Sequence, residues 1–291
     1  MKKTKWGQVL LVLLCLACVA AYYGYRMLDR LSTDSTPPQI TVEEGTLEVS
    51  ILDPESALLQ GITAKDQVDG DVTGSLLVEQ TELVDQDGTV RVTYAAFDKS
   101  GNVSKTERLV RYTDYVSPRF SLDRALVFDV NNSFDVLKEI TVTDTLDGDI
   151  THWVRATVLD EYSVYSEGSH DVKFRVTNSL GDTVELVIPV EVYPAGTYAG
   201  ELTLTDYLVY LDAGDTFNAK DYLDSFTLNG TTVSLRGRVG EGYKLDITGT
   251  VDTLKPGVYC VDYLVTCLRD GVSAEKQNWT GFSRLIVVVE E

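Results

Sequence analysis

The chain has 291 residues, with 45 Asp and Glu against 25 Lys and Arg, a formal charge of −20. So acidic a surface disfavours nucleic acid held through its phosphates, and no nucleic-acid partner is expected. An apolar share of 44% with sixteen tyrosines excludes a disordered acidic tail, four cysteines exclude a disulfide-stapled miniprotein, and two histidines leave little for a histidine metal site or relay.

The charge is uneven. Residues 1–30 hold Lys2, Lys3, Lys5, Arg26 and Arg30 against one acid, Asp29, so the acidic excess lies beyond residue 30. Gly7 to Tyr25 is uncharged and rich in Leu, Val and Ala. As a helix rising about 1.5 Å per residue it measures roughly 28 Å, the thickness of a bilayer's hydrocarbon core. Trp6 flanks one end and Tyr22, Tyr23 and Tyr25 the other, where amphipathic rings favour the headgroup level. The leading lysines place the N-terminus in the cytoplasm and the rest outside by the positive-inside rule. The expectation is a single-pass cell-membrane anchor whose partner is the lipid bilayer. Two alternatives stay open: cleavage after the small residues Val19-Ala20-Ala21, and lipidation of Cys18. All three imply export.

From Pro37-Pro38 onward the pattern is β, and it repeats. Asp66-Gln-Val-Asp69-Gly70-Asp71-Val-Thr73 returns 78 residues later as Asp144-Thr-Leu-Asp147-Gly148-Asp149-Ile-Thr151. A glycine-led strand occurs in three places with one spacing: Gly88 to Asp98, Gly168 to Asn178 and Gly257 to Cys267. Within these, Val90, Val92, Tyr94 and Ala96 fall on one face, as do Val172, Phe174 and Val176, and Tyr259, Val261, Tyr263 and Val265. The first two units then turn through Gly101-Asn102 or Gly181-Asp182 into a closing strand. Units of this length and period predict an all-β chain: three tandem immunoglobulin-like β-sandwich domains preceded by one N-terminal transmembrane helix. The expected divisions are 1–33 for stub, helix and linker, then 34–115, 116–194 and a divergent 195–291. Three sandwiches in a row would extend on the order of 100 Å from the bilayer, from strands of ten or fewer residues at about 3.3 Å each plus loops. With nothing after Glu291 to act as a sorting signal, attachment is expected to rest on the helix.

These motifs resemble those of the bacterial surface immunoglobulin-like domains that occur in tandem on exported Gram-positive proteins and in some crystal toxins. The features in common are the Asp-x-x-Asp-Gly-Asp-Val/Ile-Thr segment, the strand entry Val251-Asp252-Thr-Leu-Lys-Pro256-Gly257-Val-Tyr259, and the Asp98-Lys-Ser-Gly101-Asn102 hairpin. The second unit departs with Asn178, and the third lacks the Asp-Gly-Asp segment. The resemblance covers residues 37–289 and implies a fold and a bacterial cell-surface setting, but no ligand.

If the loops of the repeated segments share one end of each sandwich, Asp66, Asp69 and Asp71 approach Asp98 and Asn102. Likewise Asp144, Asp147 and Asp149 approach Asn178 and Asp182. Such hard oxygen groups suit Ca²⁺, the one cofactor considered. The same residues also serve simply to make tight turns, and the spacing is not that of an EF-hand. Cys260 and Cys267 lie in one strand roughly 23 Å apart, too far for a disulfide, so free thiols are expected. His170 is expected to pack at a strand start. His152, with no second histidine nearby, is expected at the surface.

No Gly-x-Ser-x-Gly elbow, His-Glu-x-x-His or phosphate loop occurs, so no enzyme is expected. The preferred function is adhesion or presentation scaffold. The alternative is a module binding an extracellular protein or glycan through the third domain, where Trp279 sits in an inserted loop. Such a Trp serves either as an interface anchor or as cover for a sandwich edge.

Overall fold

The computed structural model describes residues 3–32, 34–131, 133–159, 165–237, 239–240, 242–268 and 279–290. One helix, α1 (Lys3–Ser32), precedes an all-β body. Its stretch Trp6–Leu28 has a mean hydropathy of 2.0 and is not buried by any other of the described residues.

The body divides into two compact units, Met1–Asp114 and Tyr115–Glu291. In the first unit the strands are β1 (Gln39–Val42), β2 (Leu47–Val49), β3 (Ile62–Asp66), β4 (Gly70–Asp71), β5 (Leu77–Leu83), β6 (Thr89–Phe97) and β7 (Val103–Tyr112). They form one sandwich, a sheet ordered β1-β3-β4 against a sheet ordered β2-β7-β6-β5. The opening strand is split. Its first half runs antiparallel to β3, and its second half crosses over to run parallel to β7.

The second unit holds two further sandwiches with the same split. The first of them comprises β8 (Arg119–Leu122), β9 (Val127–Asp129), β10 (Ile140–Asp144), β11 (Gly148–Asp149), β12 (Arg155–Val158), β13 (Gly168–Thr177) and β14 (Thr183–Tyr193). The next comprises β15 (Gly200–Leu204), β16 (Leu208–Leu211), β17 (Leu223–Leu228), β18 (Thr231–Ser234), β19 (Tyr243–Thr248), β20 (Gly257–Cys267) and β21 (Thr280–Val289). Strands β9 and β16 run parallel to β14 and β21 respectively. The predicted all-β class and its three sandwiches are therefore present.

The period-2 residues do what their spacing predicts. Val90, Val92, Tyr94 and Ala96 are buried on β6, and Val172, Phe174 and Val176 on β13; on β20 Val261, Tyr263 and Val265 are buried and Tyr259 is half-buried. At the matched centre of these strands, Tyr94 donates to Leu58 O (2.9 Å) and Tyr263 to Ala219 O (2.8 Å), each tying its strand to a 3₁₀ turn. Burial pushes the Tyr94 hydroxyl up to about 12. Phe174 keeps the volume without the hydroxyl. Cys260 and Cys267 are free thiols near opposite ends of β20. His170 is buried on β13, with its ring Nε2 2.8 Å from Ser166 O, and His152 is exposed beside Trp153.

Within the second unit the two sandwiches share apolar packing. Leu208 and Ile286 of the third sandwich belong to the core cluster of the second, with Phe120, Phe174 and Ile188. Polar contacts join the same seam. Tyr210 accepts from Phe120 N (3.0 Å), and Arg119 lies over the Tyr210 ring (4.5 Å) while donating to Glu290 (2.5 Å). Arg284 donates twice to Asp262 and lies 3.6 Å from Glu191. A continuous core of this kind opposes the hinge motion usual between domains joined by small polar contacts.

Candidate functional site

The Asp-Gly-Asp segment builds itself. β3 and β4 pair as a tight hairpin, Lys65 opposite Asp71 and Asp66 opposite Gly70, with Gly70 at φ +77°. Asp66 Oδ1 accepts from Val68 N and Asp69 N, both 2.8 Å, closing the turn. Those N–H groups, that of Asp69 most, hold the Asp66 carboxyl below the usual carboxylate range. Asp69 Oδ2 accepts from Lys99 N (2.8 Å) and so ties this turn to the β6–β7 hairpin. There Asp98 accepts from Asn102 N (2.7 Å) and Asn102 Nδ2 (2.6 Å).

Asp34, two residues beyond α1, completes the group. Its Oδ1 accepts from Thr36 N (3.0 Å) and Thr36 Oγ1 (2.5 Å), and Asn102 Nδ2 donates to its backbone carbonyl (3.1 Å). One carboxylate oxygen from each of Asp34, Asp66, Asp69 and Asp98 lies within 4.8 Å of all the others, with Asp66 and Asp98 buried. Among the described residues no other such group of Asp, Glu, His or Cys occurs. Two of its oxygens, Asp34 Oδ2 and Asp66 Oδ2, are buried without a hydrogen-bond partner in the protein.

Of the residues the motif singles out in the first sandwich, Asp66, Asp69 and Asp98 lie together, and Asp34 of the linker joins them. Asp71 stands outside the group, and its Oδ1 caps Thr73 N (2.9 Å). Thr73, through its hydroxyl and N–H, holds that carboxyl low. Asp149 does the same at Thr151 N (2.9 Å), again with a lowered carboxyl.

The second sandwich repeats the scaffold with different closure. Asp144 Oδ1 accepts from Leu146 N and Asp147 N, and Asp147 Oδ2 accepts from Ser179 N, all at 2.8 Å. Asn178 stands where Asp98 stands in the first, and its amide donates to Asp144 Oδ2 (2.9 Å) and to Tyr115 Oη (3.1 Å). Tyr115 in turn donates to Asp182 Oδ2 (2.5 Å). Burial and that bond raise the phenol's pKa. Neutral donors thus satisfy the buried oxygens here.

Trp279, the last residue before β21, is half-buried, and its carbonyl accepts from Cys267 N (2.9 Å). The rest of that inserted loop lies outside the described residues. A groove of about 340 Å³ in the second sandwich is lined by Asp129, Asp135 and Glu139 with Arg124 and Lys138. Two of these acids are engaged in turns, Asp129 on Asn131 N (2.8 Å) and Asp135 on Leu137 N (3.2 Å).

No family model matches the chain. An uncharacterized 81.3 kDa protein of Acholeplasma phage L2 is 28% identical over 130 residues, covering 43% of this chain and 16% of that protein. The chain therefore spans less than a fifth of that relative's length. Among solved structures, the second CBM51 and INT domains of Clostridium perfringens ZmpB, in complex with GlcNAc, are 19% identical with a TM-score of 0.22, covering 53% of this chain and 41% of that one. Drosophila N-cadherin EC1-3 is 11% identical with a TM-score of 0.27, covering 86% and 99%. At these scores the likenesses assign neither ligand nor activity.

Proposed function

We propose that the chain is a non-enzymatic, membrane-anchored protein of the bacterial cell surface that presents three β-sandwiches for contact with extracellular protein or glycan. The observation that carries this reading is α1. Leu10, Leu11, Leu13, Leu14 and Leu16 are 58–70% exposed, an apolar surface that none of the other described residues covers and water does not tolerate. A bilayer supplies the missing cover, and the lysines before the helix orient the sandwiches outward. The family reading, bacterial surface immunoglobulin-like domains, rests on the repeated motifs and joins this proposal on the same terms. So does contact through the third sandwich around Trp279. Support for a non-catalytic role comes from Asp71, Asp144 and Asp149 of the repeated segments, whose carboxylates cap backbone N–H groups of their own turns.

Membrane fractionation followed by intact mass tests the anchor. The expected product stays in the carbonate-washed membrane pellet with residues 1–33 attached, at 32.1 kDa. A soluble chain beginning near residue 22, or one beginning at a lipid-modified Cys18, overturns the anchor in favour of a signal peptide or lipoprotein.

A further inference from the structure

We propose that Asp34, Asp66, Asp69 and Asp98 bind one Ca²⁺, and that the ion fastens the segment leaving α1 to the first sandwich. The binding stands on the site alone, while its consequence for a membrane-proximal segment rests on the anchoring reading above.

Four carboxylates whose nearest oxygens lie within 4.8 Å of one another repel each other unless a cation or protons intervene. Ca–O bonds of about 2.3–2.6 Å place opposing ligands roughly 5 Å apart, so one ion spans the group. The independent pointer is Asp66. It is 7% exposed, its Oδ1 is used by two backbone donors, and its Oδ2 is buried with no hydrogen-bond partner. Asp34 repeats the arrangement, with Oδ1 taken by Thr36 and Oδ2 unpartnered. A buried carboxylate oxygen without a donor is costly, and a native structure answers it with a partner.

The second sandwich shows what the answer looks like without an ion. There Asp144 Oδ2, the counterpart of Asp66 Oδ2, receives the Asn178 amide. The first sandwich has the acid Asp98 where the second has that amide, exchanging a donor for a further ligand. Asp98 and Asp69 each carry hydrogen bonds already, but a carboxylate oxygen has a second lone pair to offer a metal. The Lys99 ammonium lies 3.3 Å from Asp69 Oδ1 and competes for it. Its side chain is 82% exposed, so an ion displaces it at little cost. Ca²⁺ fits better than Mg²⁺, which demands near-ideal octahedral geometry and sheds water reluctantly, whereas Ca²⁺ accepts an irregular set completed by water.

The test is calorimetric titration of the full chain in detergent micelles, stripped by chelator, with CaCl₂ and separately MgCl₂ at salt high enough to screen the acidic surface. Expected are one saturable Ca²⁺ site, a higher Tm, and a weaker response to Mg²⁺. Asp66→Asn and Asp34→Asn lower Ca²⁺ affinity at least tenfold, while Asp71→Asn and Asp149→Asn leave it unchanged. Should Asp66→Asn fail to fold, Asp34→Asn, at a half-buried position, carries the same test, provided its melt in chelator matches the parent's. No saturable binding, an unaltered affinity in Asp34→Asn, or equal binding of Mg²⁺ overturns the site. For the fastening, protease cleavage within residues 33–38 slows in Ca²⁺ relative to chelator, and equal rates overturn it. The titration reads the same wherever the chain resides, so its failure is distinct from failure of the anchoring reading.

Discussion

Phe226→Ala lowers the stability of the third sandwich by about 3–5 kcal/mol, the range for emptying a buried aromatic site. The ring is fully buried and meets Tyr243 edge to face at 5.9 Å. Two glycines make room for it. A Cβ on Gly200 would come within 2.3 Å of Phe226 Cε2, and one on Gly281 within 2.7 Å of the same atom and 3.0 Å of Gly200 O. Neither has a positive φ, so both are glycine for space rather than for backbone freedom. The ring therefore fills the space the two glycines leave, and its removal opens a cavity there. Gly281→Ala overpacks the same slot and costs about 1–3 kcal/mol. In contact as they are, the two changes combine non-additively, and Gly281→Ala costs less in the Phe226→Ala background. Calorimetric unfolding of the four chains measures this; a loss below about 1 kcal/mol for Phe226→Ala contradicts the packing described.

The second large effect belongs to Arg284. Its side chain is 12% exposed, its fork meets Asp262 through Nε–Oδ1 (2.5 Å) and Nη2–Oδ2 (3.0 Å), and Glu191 of β14 lies 3.6 Å from Nη1. Burial opposes the charge most, but the bond to Asp262 and its charge, with Cys260 and Glu191, together raise the guanidinium pKa. Arg284→Ala strands two carboxylates on the seam between the second and third sandwiches. Removing one partner of a fully buried pair costs about 3–5 kcal/mol. Asp262 and Glu191 keep 30% and 29% exposure, so water softens the loss to about 2–3 kcal/mol. Arg284→Lys restores less than half of it, because an ammonium cannot reproduce the two-point contact. Denaturant unfolding in low and high salt checks this. An alanine variant as stable as the parent contradicts the role assigned to the seam.

The strands were legible because their chemistry is local. Period-2 burial on β6, β13 and β20 follows from adjacent residues, and Gly70 and Gly148 mark turns whose positive φ only their own backbone must satisfy. What escaped the sequence depends on distant partners. Asp34 sits in a short polar linker 32 residues before Asp66, with no spacing that announces a shared site. Asp71 and Asp149 look like ligands in a motif of alternating Asp and Gly, yet each caps a threonine two residues on. Asn178 was visible as a replacement for an aspartate. That its amide would close on the neighbouring Asp144 needed the two hairpins in place. Leu208 and Ile286 likewise read as ordinary strand residues of the third sandwich, but they pack into the core of the second.

The account stands or falls on which side of a membrane the sandwiches lie. Protoplasts expressing the chain with one epitope before Met1 and another after Glu291 are stained with antibody before and after permeabilisation. The account predicts that the C-terminal epitope is stained on intact protoplasts and the N-terminal epitope only once they are opened. A C-terminal epitope that stays hidden until permeabilisation contradicts it.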